Sequence, residues 1–240
     1  MFRGIGTAAN VLAVIIGGLA GLFFKNGMQK RFQEILDQAL GLTVIFIGAA
    51  GTLTGMLQVG SDGSLETRGT MLLIGAMVSG ALLGEWINVE YWMEQFGIFL
   101  KKKVHSENDP KFVDGFVSTS LVICIGAMAI VGAIQDGLTG DPSMLYAKAV
   151  LDGFIVLVFA SSYGKGAIFS CLPIALWQGS ITVFARMLSP VLSDYVIAQL
   201  SFVGSSLIFC VGVNLCFGKR FRVGNLLPSL LTAGIFAQFL

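Results

Sequence analysis

Charged residues in this chain gather into short clusters separated by long windows that hold none. Residues 4–24, 38–61, 69–84, 115–135, 166–185, 195–218 and 223–240 are free of charge, and 143–164 carries only Lys148 and Asp152. Apolar windows of about 20 residues, wound as helices, match the hydrocarbon thickness of a bilayer. Inside lipid every backbone polar group must be bonded within the protein, which leaves helices or a closed barrel. The alternation of a barrel is absent. The pattern therefore predicts an all-α, polytopic membrane protein of about eight spans, forming a single membrane domain over 1–240. The third window is short and is expected to borrow Glu85 or Trp86 at its end.

The polar linkers carry their own pattern. After span 3, Val89, Trp92, Met93, Phe96, Phe99 and Leu100 recur at helical spacing, with Glu94, Gln95, Lys101 and Lys102 elsewhere. That is an amphipathic helix suited to the membrane interface. Met28, Phe32, Ile35 and Leu36 repeat it in miniature after span 1. "IIGGLAGLFFKNGMQKRF" resembles "VSGALLGEWINVEYWMEQF", and "VIFIGAAG" resembles "VICIGAMA". Spans 1–2 (1–61) and 3–4 (69–135) thus read as parallel copies of one hairpin, followed by hairpins at 143–189 and 195–240. Parallel repeats occur in some transporters, which bind substrate near the midplane.

Lys and Arg set orientation. The loops after spans 1, 3, 5 and 7 hold Lys25, Lys30, Arg31, Lys101, Lys102, Lys103, Lys111, Lys165, Lys219, Arg220 and Arg222. The opposite side holds Arg3, Arg68, Lys148 and Arg186. This places the basic loops in the cytoplasm and both termini outside. Arg3 gives span 1 the look of a signal peptide. Its charge-free stretch is long for a leader and no clear small-residue cleavage site ends it, so it is kept as a helix of the mature protein.

Composition narrows the class. Of 240 residues, 55% are hydrophobic and 12% charged, too much apolar side chain for one soluble core. The formal net charge of +1 argues against nucleic acid as a partner. Cys124, Cys171, Cys210 and Cys216 lie in apolar runs without a CxxC, and the one histidine, His105, sits in a polar loop. Neither a metal site nor a disulfide framework is implied. Among the 31 glycines, Gly17/Gly21 and Gly80/Gly84 have the spacing that lets helices approach closely. Such faces also permit a homo-oligomer.

Candidate chemistry is concentrated between Tyr146 and Arg186. Lys148 and Asp152 share one helix face and can pair. With the helix starting near Ser143, Asp152 lies about 13 Å in, at roughly 1.5 Å per residue. An acid at that depth is a functional hypothesis by default. It reads either as a proton or cation ligand with Lys148 as internal counter-ion, or as a structural pair. Tyr163 is three turns further along the same face. Ser161, Ser162 and Gly164 interrupt the apolar run and are expected to unwind the helix there. Gln178 follows Pro173 by five residues, and a proline kink beside a buried amide is a plausible coordination site. Asn10 and Asn214 are single intramembrane amides that fit either packing or the site. Asn225, in "NLLP", reads as a helix start. Asp136 and Asp141 in "QDGLTGDPS" read as turn residues, or as acids that draw cations to a mouth. No nucleophile elbow, HExxH or P-loop occurs, so neither an enzyme nor a cofactor is expected.

Several blocks together resemble a known family. "GTAANVLAVIIGGLAGLFFKNG", "RFQEILDQALGLTVIFIGAAG", "ICIGAMAIVGAIQDGL", "LDGFIVLVFASS", "WQGSITVFA" and "VGNLLPSLL" are similar to the YdfK/YqgA-like bacterial membrane proteins, a domain-of-unknown-function family. The resemblance covers essentially the whole chain. It implies a multi-pass protein of the bacterial inner membrane and supplies no substrate or site residues. The expected function is a transporter or channel for a small solute or ion, with a site near mid-membrane around Asp152. The alternative is a structural or regulatory membrane protein.

Overall fold

A computed structural model describes residues 3–27, 30–59 and 63–239. In chain order these form α1 (Ile5–Gly27), α2 (Lys30–Met56), β1 (Leu57–Val59), β2 (Leu65–Thr67), α3 (Thr70–Ile87), α4 (Val89–Lys103), α5 (Phe112–Cys124), α6 (Ala127–Thr139) and α7 (Ser143–Tyr163). A 3₁₀ segment (Lys165–Ser170) leads into α8 (Cys171–Val183), followed by α9 (Ala185–Leu188), α10 (Asp194–Phe217), α11 (Val223–Leu226) and α12 (Pro228–Phe239).

Six of the described helical segments are long and apolar enough to cross a membrane: Ile5–Lys25, Glu34–Met56, Thr70–Ile87, Ser143–Tyr163, Lys165–Val183 and Asp194–Phe217. A seventh crossing is made if α5 and α6, bent by 62° at their junction, count as one span. The eighth predicted window forms a shorter apolar segment, Val223–Phe239, interrupted before Pro228. The short third span does extend through Glu85 and Trp86, and Asn88 ends it in the left-handed conformation with its N–H on the Gly84 carbonyl. This satisfies one of the carbonyls that every helix end leaves open.

Two local features differ from expectation. The stretch after span 1 is no separate interfacial helix: Phe32, Ile35 and Leu36 belong to α2, continuous from Lys30 to Met56. Within α2 no glycine or proline precedes Gly41, and "KRFQEILDQAL" is made mostly of strong helix formers, so nothing breaks it. Met28 and residues 60–61 of the second predicted span lie outside the described residues. A small antiparallel ribbon was not foreseen: Leu57 pairs with Thr67, Gln58 with Glu66 and Val59 with Leu65. The amphipathic stretch after span 3 is α4. Its Leu100 packs on Phe112 and Phe116, while Trp92 and Phe99 are exposed.

The helices group into two compact units that interleave along the chain. One contains residues 1–40, 93–124 and 128–191, the other 41–92, 125–127 and 192–240. In the first, α1 lies along α7 and also touches α8 and the 3₁₀ segment. Side chains at Gly17 and Gly21 would overlap the carbonyl oxygens of Gly153 and Leu157 on α7, so these small residues set the approach of α1. In the second unit α3 lies along α12, and side chains at Gly80 and Gly84 would overlap the backbone at Ser229 and Asn225. Leu72, Ala76, Val196, Phe202, Val203, Ala233 and Ala237 form its apolar centre.

Candidate functional site: a buried polar cluster in the first unit

Asn10 on α1, Lys148 and Asp152 on α7, and Gln178 on α8 converge. The relative exposures are 0, 6, 3 and 0% in that order. Asp152 Oδ2 accepts from Lys148 Nζ and from Asn10 Nδ2, the latter at 2.9 Å. Asn10 Nδ2 also donates to Gln178 Oε1 at 3.1 Å. Lys148 Nζ donates in addition to the Ile123 carbonyl at 2.8 Å. That carbonyl lies in the last turn of α5, where intrahelical donors run out and the helix dipole favours a cation. One ammonium thus joins the carboxylate to the end of a broken helix.

The cluster is not closed. Asn10 Oδ1 and Gln178 Nε2 are buried without a hydrogen-bond partner. An acceptor and a donor are left over on two adjacent amides, at a cost of about 1–3 kcal/mol each if nothing fills them.

The remaining sequence candidates fall elsewhere. Ser161 donates to the Val158 carbonyl, and Ser162 Oγ is buried without a partner. Both sit nine or ten residues past Asp152, about 14 Å along the helix. Tyr163 stacks on Phe159 and lies under the Lys111 ammonium. The helix does not unwind at the two serines. It breaks at Gly164, whose φ of 86° and ψ of −149° are open essentially to glycine alone. Pro173 does not kink a helix interior either. It is the third residue of α8, within the first turn, where a missing N–H leaves no bond unmade. Asn214 belongs to the second unit: its side chain accepts from Arg220 N and Phe221 N and donates to the Phe221 carbonyl, closing the turn after α10.

Of the two acids read as turn residues, Asp136 instead caps a helix, and Asp141 does lie in the turn before α7. Asp136 lies inside α6, fully buried, and accepts from the Gly6 N–H in the first turn of α1 at 3.1 Å. Asp141 accepts from the Ser143 hydroxyl at 2.6 Å and the Ser143 N–H at 3.0 Å, and these two bonds hold its carboxyl below the usual range.

A second polar cluster lies in the second unit. Asn225 accepts from Glu90 N at 2.7 Å and donates to Glu85 Oε2 at 2.8 Å. Glu90 accepts from Gly224 N at 2.7 Å and pairs with Lys219 at 2.9 Å, and Glu85 pairs with Arg222 at 2.6 Å. One signal was present in the sequence: Glu90 shares a helical stripe with Met93, Gly97 and Leu100, the buried side of α4.

These observations define a multi-pass helical membrane protein with a charge pair sealed among its helices. The chain belongs to the DUF554 family, "Protein of unknown function (DUF554)", whose model matches residues 5–238. It is 31% identical over 226 residues to "Uncharacterized membrane protein YdfK" of Bacillus subtilis (strain 168), covering 94% of this chain and 92% of that one. It is also 31% identical over 232 residues to "Uncharacterized protein YqgA" of Escherichia coli (strain K12), covering 95% and 94%. No solved structure matches the chain.

Proposed function

We propose that this protein moves a small solute or ion across a bacterial cell membrane, and that the Asn10–Lys148–Asp152–Gln178 cluster is its binding site. The observation that carries the reading is the leftover acceptor and donor, Asn10 Oδ1 and Gln178 Nε2, fully buried beside a carboxylate and an ammonium. A bound polar species satisfies both. Lys148 is then the counter-ion that holds Asp152 when the site is empty. Sparse polar residues along the spans favour alternating access over an open pore. The excess of Lys and Arg supports cytoplasmic basic loops and outward termini. A second copy would dock on exposed apolar faces, since Gly17, Gly21, Gly80 and Gly84 are occupied within the chain.

A specific observation favours the structural alternative. Asp152 already accepts two donors, and Lys148 bonds both to it and to the α5 end, so the pair can act purely as a helix clamp. The test is a thermal-shift screen of small ions and solutes on purified protein, repeated on Lys148→Met/Asp152→Leu. The double change removes the charges together and keeps the volume similar. A ligand that raises Tm in wild type only, and that liposomes carrying wild type accumulate, supports transport. A folded wild-type protein that no solute stabilises, with a double variant of lower Tm, leaves the clamp.

A further inference from the structure

A cavity of about 420 Å3 opens at the Ile5 end of α1, against α8. Its lining includes Arg3, Thr7, Gly179, Thr182 and Arg186. Its lining residues carry two guanidinium groups and no carboxylate. The neighbouring acid, Asp136, is buried outside the lining, with Oδ2 accepting from Gly6 N and Oδ1 without a hydrogen-bond partner. Arg3 donates only to the Leu138 carbonyl at 3.4 Å, so neither arginine has an ion-pair partner among the described residues. Room also exists inside: a Cβ built on Gly179 would meet nothing within 4 Å.

The floor of this cavity points to its role. Thr7 and Thr182 line it, and their hydroxyl oxygens lie 3.4 Å apart. Asn10 is three residues beyond Thr7 on α1, and Gln178 is four residues before Thr182 on the oppositely directed α8. Those spacings return to the same helix face one turn deeper, about 5 Å. The hydroxyl pair therefore lies on the same helix faces as the two amides with unused hydrogen-bonding atoms, one turn nearer the Ile5 end of α1.

We propose that this cavity is the antechamber of the buried cluster. In it Arg3 and Arg186 hold the oxyanion group of a small solute, and the Thr7–Thr182 contact is the barrier to be parted before the solute reaches Asn10 and Gln178. The inference rests on the solute-handling reading above and names the chemistry of the solute: a small anion with carboxylate- or phosphate-type oxygens. Guanidinium groups match such oxygens in two-point hydrogen bonds.

The experiment is thiol labelling of Gly179→Cys in detergent with a water-soluble methanethiosulfonate, against the parent chain with its four native cysteines as background. Gly179→Cys should react rapidly and Gln178→Cys, one residue earlier but beneath the barrier, slowly. Sodium phosphate or sodium acetate should slow the Gly179→Cys reaction relative to sodium chloride at equal ionic strength, and whichever protects better identifies the oxyanion class. Arg186→Gln should weaken that protection about tenfold, the size of one hydrogen bond to a charged group. Val183→Cys, on the same wall and 76% exposed, is a second reporter if Gly179→Cys folds poorly. Reporters no more reactive than the parent chain, or equal rates in all three salts, overturn the proposal. The readout needs no transport. Protection that persists in Lys148→Met/Asp152→Leu keeps the antechamber while the deeper site is judged separately.

Discussion

The two units each hold an acid, a base and an amide bonded together, yet they hold them in different media. In the first, the side chains of Lys148 and Asp152 are 8 and 5% exposed, and their neighbours Asn10 and Gln178 are wholly buried. In the second, the Glu85 and Arg222 side chains are 52 and 63% exposed, and Lys219 is 52% exposed over a mostly buried Glu90. Water can replace a lost partner at the exposed Glu85–Arg222 pair of the second cluster and cannot at the Lys148–Asp152 pair of the first. The same residue types therefore have very different consequences when removed.

The largest expected effect is at Asp152. Asp152→Ala strands the Lys148 ammonium away from water and should destabilise the protein by about 3–5 kcal/mol. Adding Lys148→Met should recover most of that loss, as read by denaturant unfolding in detergent. A single variant as stable as wild type would mean that water reaches the pair. Next is Glu90→Ala, which leaves the Gly224 N–H without its acceptor and should cost about 1–3 kcal/mol. Arg222→Gln, at the half-exposed pair with Glu85, should change stability by only about 0–1 kcal/mol. If it instead matches Asp152→Ala, the contrast between the clusters is wrong.

The smallest effect is a pH dependence at Asp141. Its carboxyl is depressed in the folded protein by the Ser143 hydroxyl and N–H. A depressed carboxyl contributes stability above its unfolded pKa, about 3.9, and loses it as pH falls through the lower folded value. The first turn of α7 should therefore fray only in strong acid, and Asp141→Asn should remove that dependence. Hydrogen exchange of the α7 N-terminal amides measures it.

Most of the helices were legible because lipid demands long stretches free of charge, and a charge-free window is visible in one dimension. The Lys148–Asp152 pair was legible for a similar reason, since a separation of four is a local rule. What could not be read is which distant helices meet. Asn10 and Gln178 were site candidates on separate helices, and only the packing of α1 against α7 and α8 shows that Asn10 bonds both Asp152 and Gln178. Asn214 looked the same and instead closes the turn after α10, a helix end that Gly218 and the following Lys219-Arg220 mark in the sequence. Asp136 was assigned to a turn because an Asp-Gly pair follows turn statistics. In three dimensions its acceptor is used by the start of α1, more than a hundred residues earlier in the chain.

The interleaving of the units has a consequence for synthesis. Glu85 waits 140 residues for Asn225, and the Ala76 carbonyl waits 156 residues for the Thr232 hydroxyl. On the ribosome, α3 is inserted long before the strip of chain that covers its glycine face exists. During that interval the nascent segment depends on lipid or on an insertase for company. Defects in the final helix should then show up as premature turnover of the newly made polypeptide.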